Sequence, residues 1–199
     1  SRQVVDLEGL VQDVAHVVRE TFPRSIALDV HISAGVPLVV GDITQLHQVL
    51  MNLVVNARDA MRDGGQLTIA LAPGSRADRP GVWLDVADSG VGMTPDVLDQ
   101  IFDPFFTTKD IGHGTGLGLS TVQAIVSTHG GHIDVTSAPG HGSRFRIWWP
   151  AAPATSTVTP SAPPRTLPTR GAGQVVLIVD DEDSIRQLAR QTLEHHGYT

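Results

Sequence analysis

From Asp42 to Gly65 the chain encodes a helix with two different faces. Ile43, Leu46, Val49, Leu50, Leu53, Ala57, Ala60 and Met61 recur at helical spacing and predict a core stripe, whereas Gln48, Asn52, Asn56 and Asp59 fall on another face. Asp42, with Gln45 three residues on, is a capping-box-like start, and Gly64-Gly65 ends the run. The apolar stripe needs a surface to cover, and the flanking segments supply one. Alternation at Ile26, Leu28, Val30 and Ile32 predicts a strand, as do residues 67–71, 82–86, 133–137 and 144–148, with a short strand at 38–40. A Pro/Gly/Ser/Arg loop is expected between 71 and 82, and a hairpin around Pro139-Gly140-His141-Gly142. Leu7, Leu10, Val11, Val14, Val17 and Val18 predict a first helix closed by Pro23. Further helices are expected near 95–101 and over 117–129. The fold class is therefore an α/β sandwich.

Composition separates three segments. Residues 1–150 hold this pattern, residues 151–173 are a Pro/Thr/Ser/Ala-rich linker, and residues 174–199 begin a new unit. There Val175-Val176-Leu177-Ile178-Val179 meets Asp180-Asp181-Glu182-Asp183 and then a helix, a single β–α pair that cannot bury its own faces. A net charge of −7 without any Lys/Arg run argues against nucleic acid or an anionic membrane surface as partner. No apolar run reaches spanning length, and no leader pattern precedes the first helix, so Ser1 reads as falling within a longer polypeptide. The absence of cysteine fits a reducing compartment, and a cytoplasmic location is expected.

Asparagine is a poor mid-helix residue, because its amide competes for backbone hydrogen bonds, so Asn52 and Asn56 one turn apart need a reason. An amide oxygen is a hard ligand suited to Mg²⁺, which takes few protein ligands and completes its shell with phosphate and water. Asn52 is the candidate ligand and Asn56 its support. Asp88, ending a strand before Gly90 and Gly92, offers a carboxylate to an adenine amino group while the glycines let backbone approach a flat base. Guanine presents a carbonyl there, and a site built on a hydrogen bond rejects the wrong partner by roughly 10⁴. Taken alone, Asp-Ser-Gly is ordinary turn chemistry. Gly114, Thr115, Gly116, Leu117 and Gly118 lead into a helix whose N–H groups suit phosphate oxygens, and Lys109 adds positive charge. No lysine follows these glycines and no strand precedes them, which excludes a P-loop and a Rossmann fingerprint. Phe102, Phe105 and Phe106 beside this glycine hinge suggest a movable flap anchored by aromatics. Together these features predict a pocket for ATP and Mg²⁺.

Four segments resemble, in family order, the motifs of sensor histidine kinases. HQVLMNLVVNARDAM (47–61) is similar to their N box, DSGVGM (88–93) to the first glycine box, FDPFFTT (102–108) to the F box and GTGLGLS (114–120) to the second glycine box. The resemblance covers about residues 4–150. It implies a two-layer Bergerat-type sandwich, a mixed sheet with helices on one face, as in gyrase B, Hsp90 and MutL, and it implies that Ser143 sits near the adenine-binding aspartate. Gln48 stands where the hydrolysing relatives carry a glutamate, which favours phosphoryl transfer over water attack. Asp59 departs from the lysine common in such kinases, leaving Arg58 or Lys109 to neutralise phosphate.

The same resemblance implies a phosphate-accepting histidine on dimerising helices. His16 is a poor candidate, because Val17 follows it rather than an acidic residue, so those helices are expected upstream and the fragment is expected to be a monomer that does not autophosphorylate. The tail resembles the opening of a response-regulator receiver domain, in which Asp180 and Asp181 would help hold Mg²⁺, making the parent a hybrid kinase. The rival readings are a gyrase-like or Hsp90-like ATPase and a degenerate nucleotide-sensing module.

Overall fold

The computed structural model describes residues 2–108, 115–153, 175 and 197–198. The chain divides into two compact units, 1–156 and 157–199. Residues 176–179 of the tail's apolar run, Asp180 and Asp181 lie outside the described residues, as do Lys109 and Gly114.

The first helix, α1 (Leu7–Thr21), starts at Asp6, whose carboxylate accepts from the Glu8 N–H, and buries Leu7, Leu10, Val11, Val14, Ala15 and Val18. Val17 sits off this stripe and is partly exposed. A strand too short to reveal alternation, β1 (Gln3–Val5), pairs antiparallel with β3 (Val39–Gly41), and between them in sequence runs β2 (Ile26–Ile32). The two-faced helix is α2 (Ile43–Ala60), with the Asp42 carboxylate accepting from the Thr44 and Gln45 N–H groups at 3.1 and 3.4 Å. It buries Leu46, Val49, Leu50, Leu53, Val54 and Ala57. Ile43, expected in the core, is 48% exposed on the opening turn, while Val54, left off the expected stripe, is fully buried. Truncating Leu50 to alanine in such a site costs about 2–5 kcal/mol.

The expected loop between 71 and 82 is instead strand. A long hairpin, β4 (Gly65–Arg76) and β5 (Arg79–Asp88), keeps its ladder through Pro73, Gly74 and Ser75, and only Ala77 and Asp78, at φ 48° and 59°, form the turn. Its Pro and Gly content misled because both residues are tolerated on a sheet edge, and β2 stops pairing at Leu71. Gly74 also makes room for a side chain: a Cβ there would lie 2.5 Å from the Trp83 ring.

Next come the short α3 (Pro95–Leu98), α4 (Gly118–Thr128), β6 (His132–Ser137) and β7 (Ser143–Pro150). The five-stranded sheet has the order β2-β4-β5-β7-β6, with β2 and β4 parallel and every other pair antiparallel, so it is mixed as expected. Leu67, Ile69, Leu71, Val82, Leu84, Val86, Phe145, Ile147 and Trp149 line one face and join the helix stripes in a single core. Arg144 and Arg146 alternate outward and reach Asp85 at 2.7 and 3.7 Å. Antiparallel partners share a face, so Asp88, opposite both Leu67 and Ser143, projects toward the helices at the end of the sheet.

Candidate functional site

A cleft of about 670 Å³ opens between α2 and that end of the sheet. It brings together Asn52, Asn56, Asp88, Gly92, Thr115, Gly116, Gly118 and Ser143, which the sequence had picked out from four separate stretches.

At one end the Asn52 side-chain nitrogen donates to the Gly118 carbonyl at 3.2 Å. That bond orients the amide, and Oδ1 is its atom able to meet a cation. A Cβ built on Gly118 would lie 4.0 Å from both Asn52 Cγ and Asn56 Nδ2, so the first residue of α4 faces the pair of amides. Asp6, Asp42 and Thr94 cap α1, α2 and α3, whereas α4 has no side-chain cap. Its first N–H groups thus stand without a capping side chain, next to the cleft, as anion binding requires.

At the other end Asp88 Oδ1 accepts from the Gly90 N–H at 2.8 Å. Burial pushes the Asp88 carboxyl above its ordinary value, while the Gly90 and Ser143 backbone N–H groups pull it back. The glycines here also let backbone pack on backbone, and only Gly92 of the two lines the cleft. Gly90 is not part of the cleft lining; its Cβ would meet the Ala60 carbonyl at 2.5 Å, and the neighbouring Val91 N–H donates to that same oxygen at 3.1 Å. Gly92, at φ +66°, packs against the β6–β7 turn, where a Cβ would come within 1.9 Å of the Ala138 oxygen. These are contacts of backbone with backbone.

Gln48 is not brought into the cleft. It is exposed, one turn before Asn52 and about 6 Å further along the helix axis. Leu117 likewise lies outside the lining and is 40% exposed. The three phenylalanines do not act together. Phe106 lines the cleft and Phe102 packs on the core, but Phe105 is 74% exposed, held at φ +69° with its N–H on the Gly116 carbonyl at 2.9 Å. Arg58 lines the cleft, yet its guanidinium bonds Asp59 at 2.8 and 3.0 Å and stacks 5.5 Å from the Phe22 ring centroid.

Several functional residues escaped the sequence reading. Met93, Ile101 and Phe145 give the acidic end an apolar wall, and Phe145 was legible in principle, since it shares a face with Ser143 two residues away. Arg62, just past α2, also lines the cleft. His129 is buried, donating from Nδ1 to the Ile125 carbonyl at 2.8 Å and accepting the Asp42 N–H on Nε2 at 3.0 Å, so it ties the end of α4 to the start of α2.

Residues 41–153 match the family of histidine kinase-, DNA gyrase B- and HSP90-like ATPases. The chain is 35% identical over 215 residues to the sensor kinase CckA of Brucella abortus (strain 2308), an alignment covering 99% of this chain and 23% of that protein. It is 40% identical over 149 residues to the sensor histidine kinase ZraS of Escherichia coli (strain K12), covering 74% of this chain and 31% of that one. The chain thus spans 23% and 31% of the length of these two curated relatives. Among solved structures, the nucleotide-free catalytic domain of histidine kinase ThkA superposes with a TM-score of 0.65 at 30% identity, over 77% of this chain and 99% of that one. Full-length ShkA in complex with AMPPNP gives 0.66 at 28% identity, over 100% of this chain and 40% of that one.

Proposed function

The chain belongs to the histidine kinase-, DNA gyrase B- and HSP90-like ATPase family and carries the ATP-binding catalytic domain of a sensor histidine kinase; we propose that its parent is a hybrid kinase, in which this domain transfers the γ-phosphoryl group of MgATP to a histidine on a dimerisation segment. The observation that carries this reading is the joining, in one cleft, of the Asn52–Gly118 contact with the half-buried Asp88 carboxylate. Adenine fits the Asp88 end, where the carboxylate accepts from the exocyclic amino group and Met93, Ile101 and Phe145 supply the apolar wall. The triphosphate fits the uncapped start of α4.

Asn52 Oδ1, with Asn56 beside it, is the ligand we assign to Mg²⁺. When bound, that ion neutralises charge on the phosphates and holds them in line. The reaction forms a bond between a histidine ring nitrogen and the γ-phosphorus as the bridging oxygen leaves with ADP, and the domain's task is positioning and charge stabilisation. Transfer is favoured over hydrolysis because position 48 bears no carboxylate to take a proton from water, and Asp59, the carboxylate of α2 that lines the cleft, is bonded to Arg58. With Arg58 so engaged, Lys109 is the cation we assign to the phosphates.

The hybrid architecture draws support from the CckA and ShkA alignments, which cover 99% and 100% of this chain and so run on into the tail bearing Asp180 and Asp181. The proposed partners are the parent's own dimerisation helices and a receiver domain, on the cytoplasmic side. Among the described residues no helix is long and apolar enough to cross a membrane. The test is to mix the chain with the dimerisation segment of its parent and ATP, and to look for acid-labile phosphohistidine on that segment. Bound nucleotide without phosphohistidine would favour a nucleotide-sensing module, and steady phosphate release would favour an ATPase.

A further inference from the structure

Ser137 in β6 is outside the lining of the cleft, yet it joins three parts of the Asp88 end. Its Oγ accepts from the Met93 N–H at 2.9 Å, donates to the Gly142 carbonyl at 2.8 Å, and lies 3.0 Å from Ser143 Oγ. A hydroxyl has one proton and two lone pairs. The Gly142 oxygen and the Met93 nitrogen fix their own roles, because a carbonyl only accepts and an N–H only donates. The proton of Ser137 therefore goes to Gly142 and one lone pair to Met93. The bond between the two serines must then be made by the Ser143 proton, which leaves Ser143 Oγ with lone pairs alone.

Ser143 pairs with Asp88 across the β5–β7 ladder and shares its face, and its backbone N–H is among the groups that hold the Asp88 carboxyl down. A base entering here meets acceptors from both residues. The turn that holds this arrangement has little room to shift: Gly140 N–H donates to the Val91 carbonyl at 2.7 Å, and a Cβ on Gly142 would lie 1.9 Å from the Asp88 backbone oxygen. Such preorganisation makes the direction of the proton chain a property of the fold.

We propose that Ser137 is a positioning residue for purine choice: by taking the Ser143 proton it keeps the Asp88 end acceptor-only, matched to an amino group at purine position 6 and mismatched to a carbonyl. This rests on the cleft being the ATP site. The experiment is calorimetry on the whole chain with non-hydrolysable triphosphates of adenosine and of inosine, which differ at position 6 of the base and in the proton inosine carries at N1, a difference common to every variant compared. Wild type binds the adenosine analogue more tightly. Ser137→Ala frees the Ser143 proton to turn toward a carbonyl, so the adenosine-to-inosine preference falls roughly tenfold, the worth of one hydrogen bond, mostly through tighter inosine binding. Ser137→Thr keeps the hydroxyl and restores the preference. Ser143→Ala weakens the adenosine analogue without improving the inosine one, and this arm stands even if Ser137→Ala fails to fold.

An unchanged preference in folded Ser137→Ala, or an inosine gain in Ser143→Ala equal to that in Ser137→Ala, overturns the role of Ser137 and leaves the ATP site intact. A wild type that binds neither analogue overturns the ATP site itself.

Discussion

Asn52 and Gly118, 66 positions apart, are joined by a single 3.2 Å hydrogen bond that ties the middle of α2 to the first residue of α4. The bond orients the amide and so fixes the direction in which Oδ1 points. Replacing Asn52 with alanine removes both the tie and the oxygen. The apo domain should lose about 1 kcal/mol, the usual net worth of one such bond. Affinity for an ATP analogue should fall at least tenfold in the presence of Mg²⁺ and stay nearly constant in EDTA. Calorimetry with and without the metal checks this, and an Asn52→Ala variant that keeps the full Mg²⁺ enhancement would remove Asn52 from the metal site.

Two glycines of the same loop separate folding from binding. At Gly116, φ is +66° and a Cβ would sit 2.3 Å from the Phe105 carbonyl carbon, so Gly116→Ala should loosen the Phe105–Gly116 clasp and expose it to protease. Gly118 has ordinary helical room, with nothing closer than 4.0 Å to an added Cβ. Gly118→Ala should therefore melt at or slightly above the wild type, since alanine is the better helix former by up to about 1 kcal/mol. Its nucleotide affinity should still drop, because the new methyl group faces the two asparagine amides where phosphate is to lie. Thermal melting and calorimetry on the pair distinguish the two roles. A Gly118→Ala protein that binds normally would show that phosphate does not approach α4 there.

The side chains that line the cleft were more legible than its supports. Asn52 and Asn56 stood out because helices disfavour them, and Asp88 because it ends a strand. What the one-dimensional pattern could not supply was the partner of each group. Gly90 and Gly92 looked like access to a base, but their neighbours Ala60 and Ala138 come from remote segments, and that proximity exists only in the fold. Ser137 and His129 carry no local signature either, since each is defined by what it bonds across the chain. In the fold, α2 and β2 were readable from periodicity, whereas the β4–β5 hairpin was hidden by Pro73 and Gly74, residues whose presence in a ladder depends on having a free edge.

His129 holds the other end of the two-helix arrangement, 87 positions from Asp42. His129→Phe fills the space but removes the Nε2 acceptor that the half-buried Asp42 N–H uses, a loss of about 1 kcal/mol, the usual net worth of one such bond. His129→Gln offers an amide oxygen in place of Nε2 and should recover part of that loss. Urea unfolding at constant m-value is the measurement. Equal losses in both variants would mean that the ring's shape, rather than its acceptor, is what the site requires.

Asp88 sets stability against binding, and the sign can be worked out. Burial raises its folded-state carboxyl above the ordinary 3.8, so between those two values the native state holds more protons than the unfolded chain. Stability then falls as pH rises through that window, and above it the ionised carboxylate carries its desolvation cost in full. Asp88→Asn removes the charge and keeps an oxygen for the Gly90 N–H. The apo variant should melt above the wild type at pH 7, with the gap closing as acid protonates the wild-type carboxyl. Binding runs the other way. With the carboxylate as the proposed adenine acceptor, wild-type affinity for the ATP analogue should decline on acidification through the raised value, while Asp88→Asn binds weakly throughout. Melting curves and calorimetry across pH 4–8 check both trends, and a variant less stable than the wild type at pH 7 would mean that the carboxylate contributes more to the empty fold than its burial costs.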